Sequence, residues 1–127
     1  MAKLPASYEA FKRHYPRIWQ AYDHLGTLLH ERGPLDEKTR KLVKLAMAIG
    51  AKLEGAVHSH TRKALDAGAT PGEIRHLVLL CLTTLGFPST IAAMTWVEDI
   101  LRRASRRLGE AKEKKKKFSP ARPPLLK

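Results

Sequence analysis

The chain has 127 residues, which is the length of one small domain with a modest hydrophobic core. Its formal net charge is +12, and most of that excess lies from Arg102 onward, where 11 basic residues face 2 acidic ones. A single cysteine, Cys81, excludes an intramolecular disulfide, and no apolar run is long enough to span a bilayer. Residues 1–7 contain no signal-peptide core, so we expect a cytoplasmic protein with no membrane partner.

Helical periodicity dominates the chain, and no strand alternation is visible. The spacing predicts a short helix over residues 8–15. Pro16 then begins a second helix with an apolar stripe of Ile18, Trp19, Tyr22, Leu25 and Leu29. After a break at Gly33-Pro34, Asp36 is predicted to cap a third helix that ends at Gly50. The pattern predicts an all-α bundle.

The central stretch, residues 53–73, carries the clearest helix signals in the chain. Residues 54–67 are helix-compatible, and Gly68 stands where a left-handed C-terminal cap is expected. Thr70-Pro71-Gly72-Glu73 then has the pattern of a capping box with proline at the first helical position. We therefore predict an antiparallel helical hairpin around this turn.

Two histidines of the central helix are predicted to face different environments. His60 shares a stripe with Val57 and Ala64, which points it toward the interior. His58 lies near a perpendicular face, one turn from Glu54 and from Arg62. The imidazole of His60 should therefore contact the core, and that of His58 should lie among charged side chains at the surface.

The helix after Thr70 contains the run Leu77-Val78-Leu79-Leu80-Cys81-Leu82, which is apolar on every side. Such a helix must be covered all round, and a domain of this size has few helices to cover it. We therefore expect a homo-oligomer, with a central core helix in a monomer as the alternative. Cys81 is expected to be buried and inert.

A last helix is predicted to begin near Pro88 and to lose its apolar face after Leu101. We place the helical domain at residues 1–104 and a basic, partly disordered tail at residues 105–127. The aromatic residues Trp19, Tyr22 and Trp96 are interpreted as core or interface anchors, and His14, His24 and His30 as ordinary polar-face residues.

Three segments resemble the carboxymuconolactone decarboxylase family, which includes the alkylhydroperoxidase AhpD-like proteins. They are PLDEKTRKLVKLAMAIG, EGAVHSHTRKALDAGATPGEI and LGFPSTIAA, and they place the family core at about residues 34–104. The resemblance implies an all-helical fold built on a helical hairpin, and assembly as a trimer or hexamer.

The redox centre of the peroxidase members is missing from this chain. When the sequences are aligned on His60, their two cysteines fall on Leu53 and Ala56, and their glutamate falls on Lys41. Peroxide reduction requires an attacking thiolate and a second, resolving thiol, which leucine and alanine cannot supply. A peroxidase activity would therefore rest on the family label alone, and we expect none.

Decarboxylase members of the family act on a lactone carrying carboxylates, without cysteine or metal. By resemblance, His60 is the candidate acid, with Glu54 and His58 as further catalytic candidates. Candidate contacts to a small carboxylate or lactone ligand are Lys41, Arg62 and Arg75. The expected chemistry is decarboxylation or isomerisation without a cofactor. The alternative is a non-catalytic member that binds small molecules or serves assembly.

Two other functions are less well supported by the sequence. A metal site is not expected, because His58 and His60 diverge by about 200° around a helix and no second spaced ligand pair is present. The basic run over residues 112–117 could contact phosphates, but no aromatic platform or groove-reading motif accompanies it. Nucleic acid is therefore not an expected partner.

Overall fold

A computed structural model describes residues 5–118 and contains seven helices and no strand in that range. They are α1 (Ala6–His14), α2 (Pro16–Glu31), α3 (Glu37–Gly50), α4 (Glu54–Asp66), α5 (Pro71–Leu80), α6 (Leu82–Leu85) and α7 (Phe87–Phe118). The all-α prediction is confirmed. None of these helices has both the length and the apolar character needed to cross a membrane.

The predicted helix boundaries are set by local capping. Asp36 accepts a hydrogen bond from the Thr39 backbone N–H at 2.8 Å, which begins α3. The Thr70 hydroxyl accepts from the Glu73 backbone N–H at 3.0 Å, and the Glu73 carboxylate accepts from the Thr70 N–H at 2.9 Å. The predicted capping box is therefore present. Gly68 follows α4 with a φ of +95°, as a left-handed cap requires.

The core lies where α3, α4, α5 and α7 pack together. Its buried side chains are Leu45, Ala48, Ile49, Val57, Ala64, Ala69, Ile74, Val78, Cys81, Ala93, Val97 and Leu101. Helices α3 and α4 form the main helical hairpin, and α7 packs against α4 and α5. Because α4 and α5 make little contact, the hairpin predicted around Thr70 is not the one on which the fold is built. This arrangement fixes the residues of α3 relative to those of α4, on which the candidate site depends.

Helices α1 and α2 form an arm that contributes no buried residue to the protomer. Trp19 is half-buried and packs on Phe11 and Tyr22, with ring centroids 6.5 and 6.1 Å apart. Tyr22 is 68% exposed, so it is not a core anchor of the protomer. The interpretation of Tyr22 as an interface anchor stays a prediction.

The apolar run after Thr70 does not form one continuous helix. It breaks at Cys81 between α5 and α6, and Leu79 and Leu80 are 58% and 61% exposed. The prediction that the protomer cannot cover this run on every side is confirmed.

Helix α7 continues well past Leu101, its last buried residue, and reaches Phe118. Residues 105–118 therefore extend the last helix of the domain, as their helix propensity favours. Within this extension, the side chains of residues 105–116 are exposed. The disorder expected for the Pro-rich end falls almost entirely on residues 119–127, which lie outside the described part of the chain.

Candidate functional site

His60 lies on α4 between two fully buried residues, Val57 one turn before it and Ala64 one turn after it. Its imidazole is only partly buried, so it lies at the edge of the core. The Nδ1 atom is nevertheless buried and has no hydrogen-bond partner. An unsatisfied polar atom at such a position is costly and needs an explanation.

The positive charges of three lysines act on this imidazole, and we call Lys41, Lys44 and Lys63 the amine cluster. Lys41 and Lys44 are one turn apart on α3, and Lys63 is one turn beyond His60 on α4. Burial, followed by the positive charges of Lys63, Lys44 and Lys41, lowers the pKa of His60 from 6.5 to about 4. His60 is therefore uncharged at neutral pH.

The amine cluster has no acidic partner among the described residues. The ion pairs of residues 5–118 are Lys38–Glu73, His58–Asp99 and Arg75–Glu98, and none includes a cluster lysine. Burial, and then the neighbouring charges of Lys41, Lys44 and Arg62, lower the pKa of Lys63. The arrangement therefore concentrates uncompensated positive charge beside a neutral imidazole, which suits a small anion.

The end of α2 brings a second imidazole to the same place. Lys44 Nζ lies 3.3 Å from His30 Nε2, and Arg40 Nη1 donates to the His30 carbonyl oxygen at 2.6 Å. Burial, and then the charges of Lys41, Lys44 and Arg40, lower the pKa of His30. The interpretation of His30 as an ordinary polar-face residue is therefore wrong.

The residues proposed from the sequence divide into two groups. The charge of Lys41 lowers the pKa of His60, and the charge of Arg62 lowers that of Lys63. The Nε atom of Arg62 is buried and has no hydrogen-bond partner among the described residues. His58 instead pairs with Asp99 of α7 at 3.2 Å.

The remaining two lie elsewhere. Arg75 binds Glu98 of α7 at 2.7 and 3.3 Å, and Glu54 is exposed in the first turn of α4. The charge of Lys41 thus acts on His60 and that of Arg62 on Lys63, whereas Arg75 is paired with Glu98. The assignment of catalytic roles to His58 and Glu54 stays a prediction.

Lys44, Lys63 and His30 were not predicted from the sequence to lie at the site. The spacing of Lys41 and Lys44 at i and i+3 on a predicted helix was a usable signal, as was Lys63 three residues after His60. No local pattern could have supplied His30, because its position depends on how α2 returns onto α3.

Leu53 and Ala56, onto which the sequence alignment places the two cysteines of the peroxidase members, contain no sulfur. Leu53 is exposed just before α4, and Ala56 packs against the core. The Cys81 thiol donates to the Leu77 carbonyl oxygen at 3.5 Å, and burial raises the pKa of this thiol. Cys81 is 8% exposed, which confirms the expectation that it is buried. A protonated, enclosed thiol is a poor nucleophile.

Neither of two depressions on the surface of the protomer includes His60. A groove of about 430 Å³ between α3, α5 and α6 has apolar walls that include Leu42, Leu77 and Leu80. A smaller depression of about 220 Å³ is lined by Leu79 and Met94, with Arg75 and Glu98 at its edge. Within residues 5–118, no three metal-ligating side chains cluster together. In a single protomer, His60 and the amine cluster therefore lie outside both depressions.

Comparison with known proteins identifies relatives. The model of the carboxymuconolactone decarboxylase family matches residues 16–99. The chain is 42% identical over 64 residues to a nitrosuccinic acid decarboxylase of Metarhizium robertsii, covering 50% of this chain and 45% of that protein. It is 33% identical over 71 residues to a 4-carboxymuconolactone decarboxylase of Acinetobacter baylyi, covering 56% and 53%. The chain spans about half the length of these curated relatives.

A solved structure supports the fold independently. A carboxymuconolactone decarboxylase family protein from Legionella pneumophila matches with a TM-score of 0.67 at 22% sequence identity, over 76% of this chain and 86% of that one. At this identity the likeness establishes the arrangement of helices and leaves the chemistry to the residues of this chain.

Proposed function

This chain belongs to the carboxymuconolactone decarboxylase family, and we propose that it catalyses decarboxylation or isomerisation of a small anionic organic substrate by acid–base means. The observation that carries the proposal is the unpartnered Nδ1 of His60 beside three lysines that lack acidic partners among the described residues. Two of its curated relatives are named decarboxylases, which supports this class of reaction.

The amine cluster is suited to binding the substrate. Ammonium groups bind carboxylates through charge-assisted hydrogen bonds, which are stronger than those between neutral groups. A bound anion also relieves the repulsion among Lys41, Lys44 and Lys63, whose charges bear on one another. Binding energy is therefore available without rearrangement of the helices.

Substrate binding also prepares His60 for proton transfer. In the free protein, burial and the lysine charges hold the pKa of His60 at about 4. A carboxylate placed among the lysines offsets their field, so the pKa of His60 rises toward the operating pH. An imidazole in that range can take a proton from solvent and deliver it to the carbon from which carbon dioxide departs. The lysines stabilise the negative charge that develops during this step.

We also propose that the protein is a homo-oligomer, a trimer or hexamer by its resemblance to the family. The support comes from the exposed Leu79 and Leu80, the apolar groove between α3 and α5, and the unburied arm formed by α1 and α2. Exposed apolar surface of this kind marks protein interfaces.

The assembly is tested by sedimentation velocity on the full chain. The wild type should sediment as a closed oligomer at micromolar concentration. Leu80→Glu, which places a charge in the apolar groove, should dissociate it, whereas Ser105→Glu on the exposed part of α7 should not. A monomeric wild type would overturn this part of the proposal.

The chemistry is tested by a thermal-shift screen with small carboxylates and lactones, followed by assay of released carbon dioxide for each ligand that binds. We expect stabilisation of the wild type and turnover that falls by about a hundredfold or more in His60→Gln. The same ligands should still bind His60→Gln, because the lysines remain. Binding without turnover in the wild type would favour the non-catalytic role in small-molecule binding. Absence of binding would contradict the anionic site.

A further inference from the structure

The arm formed by α1 and α2 carries an apolar row that its own protomer leaves uncovered. Ile18, Tyr22, Leu25 and Leu29 recur along one face of α2 at the spacing of successive helical turns, and we call these four residues the arm stripe. Their exposed fractions lie between 52% and 68%. Because large apolar side chains in water are unfavourable, a row of four calls for a covering surface.

The arm is fixed to the body of the protomer at one end. Arg40 Nη1 donates to the His30 carbonyl oxygen at 2.6 Å, and Lys44 Nζ lies 3.3 Å from His30 Nε2. Over residues 5–118, no other hydrogen bond or ion pair joins α2 to the helices α3–α7. The arm stripe lies about 110° around the axis of α2 from His30, so it takes no part in this attachment.

The apolar groove between α3, α5 and α6 is the complementary surface. It has a volume of about 430 Å³, and no charged side chain lines it. Its aliphatic walls are formed by Leu42, Val43 and Ala46 of α3 and by Leu77, Leu80 and Leu85 of α5 and α6. The groove is therefore open to an apolar helix face and offers nothing to pair with a charged one.

The arm stripe and the groove match in length and in spacing. Ile18 and Leu29 are eleven residues apart on α2, as are Thr39 and Gly50, which bound the groove on α3, so each surface is about 17 Å long. Both rows advance in steps of three and four residues, the spacing with which the side chains of packed helices interdigitate. Since neither row contains a charged residue, the contact removes no ionised side chain from water.

The attachment of the arm holds it away from the groove of its own protomer. Arg40 and Lys44, which bind the end of the arm, lie about 120° around α3 from the row that lines the groove. Only residues 32–36 join α2 to α3, so the arm leaves the body beside these two side chains. The arm that fits the groove is therefore one supplied by another copy of the chain.

We propose that the arm stripe of one copy docks in the apolar groove of a second copy. This inference rests on the proposed function, which includes a homo-oligomer, and goes further by naming the two surfaces that meet. Because the two surfaces differ, each copy offers a stripe to one neighbour and a groove to another, so the contact is heterologous. Contacts of this kind can close into a ring such as a trimer.

The test is cross-linking between full-length proteins in a Cys81→Ala background, so that each protein has a single introduced thiol. Leu25→Cys places the thiol on the arm stripe, and Leu80→Cys places it in the groove. The two proteins are mixed, incubated to allow subunit exchange, and treated with a short bismaleimide. We expect a covalent dimer that contains one chain of each kind, identified by the mass of the intact product. The matched control is His24→Cys, exposed on another face of α2, which should give little dimer with Leu80→Cys.

Three results would overturn the contact. As much dimer from Leu25→Cys alone as from the mixture would show that arms meet each other. An equal yield with His24→Cys, or no dimer in the mixture, would show that the arm stripe does not enter the groove. A cross-link within a monomeric chain of the double variant Leu25→Cys/Leu80→Cys would show that each arm fills its own groove.

Sedimentation velocity of the wild type separates this inference from the proposed assembly. A wild-type oligomer without the cross-link between arm and groove would reject the contact and leave the homo-oligomer standing. A monomeric wild type would reject both. An oligomer together with the expected mixed dimer would support both.

Discussion

Lys44 Nζ lies 3.3 Å from His30 Nε2, so a lysine of α3 meets a histidine from the end of α2. The contact joins the arm formed by α1 and α2 to the candidate site. Burial and the cationic neighbours lower the pKa of His30, which favours the neutral imidazole, the form whose ring nitrogen can accept a hydrogen bond from the ammonium group. The interaction orients Lys44 without neutralising it, and leaves its charge available to a substrate.

A carboxylate at position 30 should therefore block the site. In His30→Glu the new side chain would pair with Lys44 and compete with the substrate, so carboxylate affinity should fall by about tenfold or more. The matched control is His24→Glu on the exposed face of the same helix, which should change affinity little. Calorimetric titration of both variants with succinate measures the difference, and equal affinities would contradict the placement of His30 at the site.

The depressed pKa of His60 gives stability a defined pH dependence. The unfolded chain protonates this residue near its ordinary pKa of 6.5, whereas the folded protein resists protonation down to about 4. The unfolded state thus binds more protons in this window, so stability falls as pH decreases from 6.5 to 4. The contribution should be about 1–2 kcal/mol, less than the full shift implies, because the side chain is partly solvated.

Urea unfolding at a series of pH values checks this contribution. His60→Gln, which keeps a polar side chain but does not titrate, should lose less stability than the wild type between pH 6.5 and 4. Parallel curves for the two proteins would show that His60 is not held in its neutral form by the fold.

The turn between α3 and α4 contains the one non-glycine residue with positive φ in the described chain, Lys52 at 58°. A residue with a side chain is strained in the left-handed region of φ and ψ, whereas glycine adopts it without strain. Lys52→Gly should therefore raise the free energy of unfolding by about 0.5–1 kcal/mol, after allowance for the greater entropy of the unfolded chain. The neighbouring Ala51 has helical φ and ψ, so Ala51→Gly should lower it. Thermal unfolding of both variants tests whether the two substitutions change the free energy of unfolding in opposite directions.

Surface ion pairs near the predicted site residues should matter little to binding. Arg75 is occupied by Glu98, so Arg75→Ala should leave succinate affinity within about twofold of the wild type. Lys41→Ala, by contrast, should weaken it by about fivefold or more, because it removes a charge from the cluster. A larger loss of succinate affinity in Arg75→Ala than in Lys41→Ala would indicate that the anion site lies beside α5.

The sequence predicted the helices well because their signals are local. Asp36, Thr70 and Gly68 act within one turn of the chain, and the structure places each in the expected capping role. The fold class and the family followed from these signals and from the quoted segments. The boundaries of α1 to α4 differ from the predicted ones by at most two residues, because helix ends depend on the last turn of hydrogen bonds. The break at Cys81 and the extension of α7 to Phe118 were not predicted.

The candidate site was less predictable because it depends on packing between distant helices. His60 was found through its family position, and Lys41 through the alignment that places it where a glutamate is expected. Arg75 looked equally suitable in the sequence, yet α7 supplies Glu98 to neutralise it. His30 was assigned to a polar face, since nothing near it in the chain indicates the approach of Lys44. Charge compensation between helices cannot be read from spacing along one of them.

The central claim is that an anion among three lysines controls the protonation of His60. Its most direct test is NMR titration of the His60 ring on full-length protein, free and saturated with succinate, with His60→Gln used to assign the resonances. We predict a pKa of about 4 for His60 in the free protein and a value raised by about one unit or more with the ligand bound. An ordinary pKa in the free protein, or a lowered pKa that saturation with succinate leaves unchanged, would contradict the account.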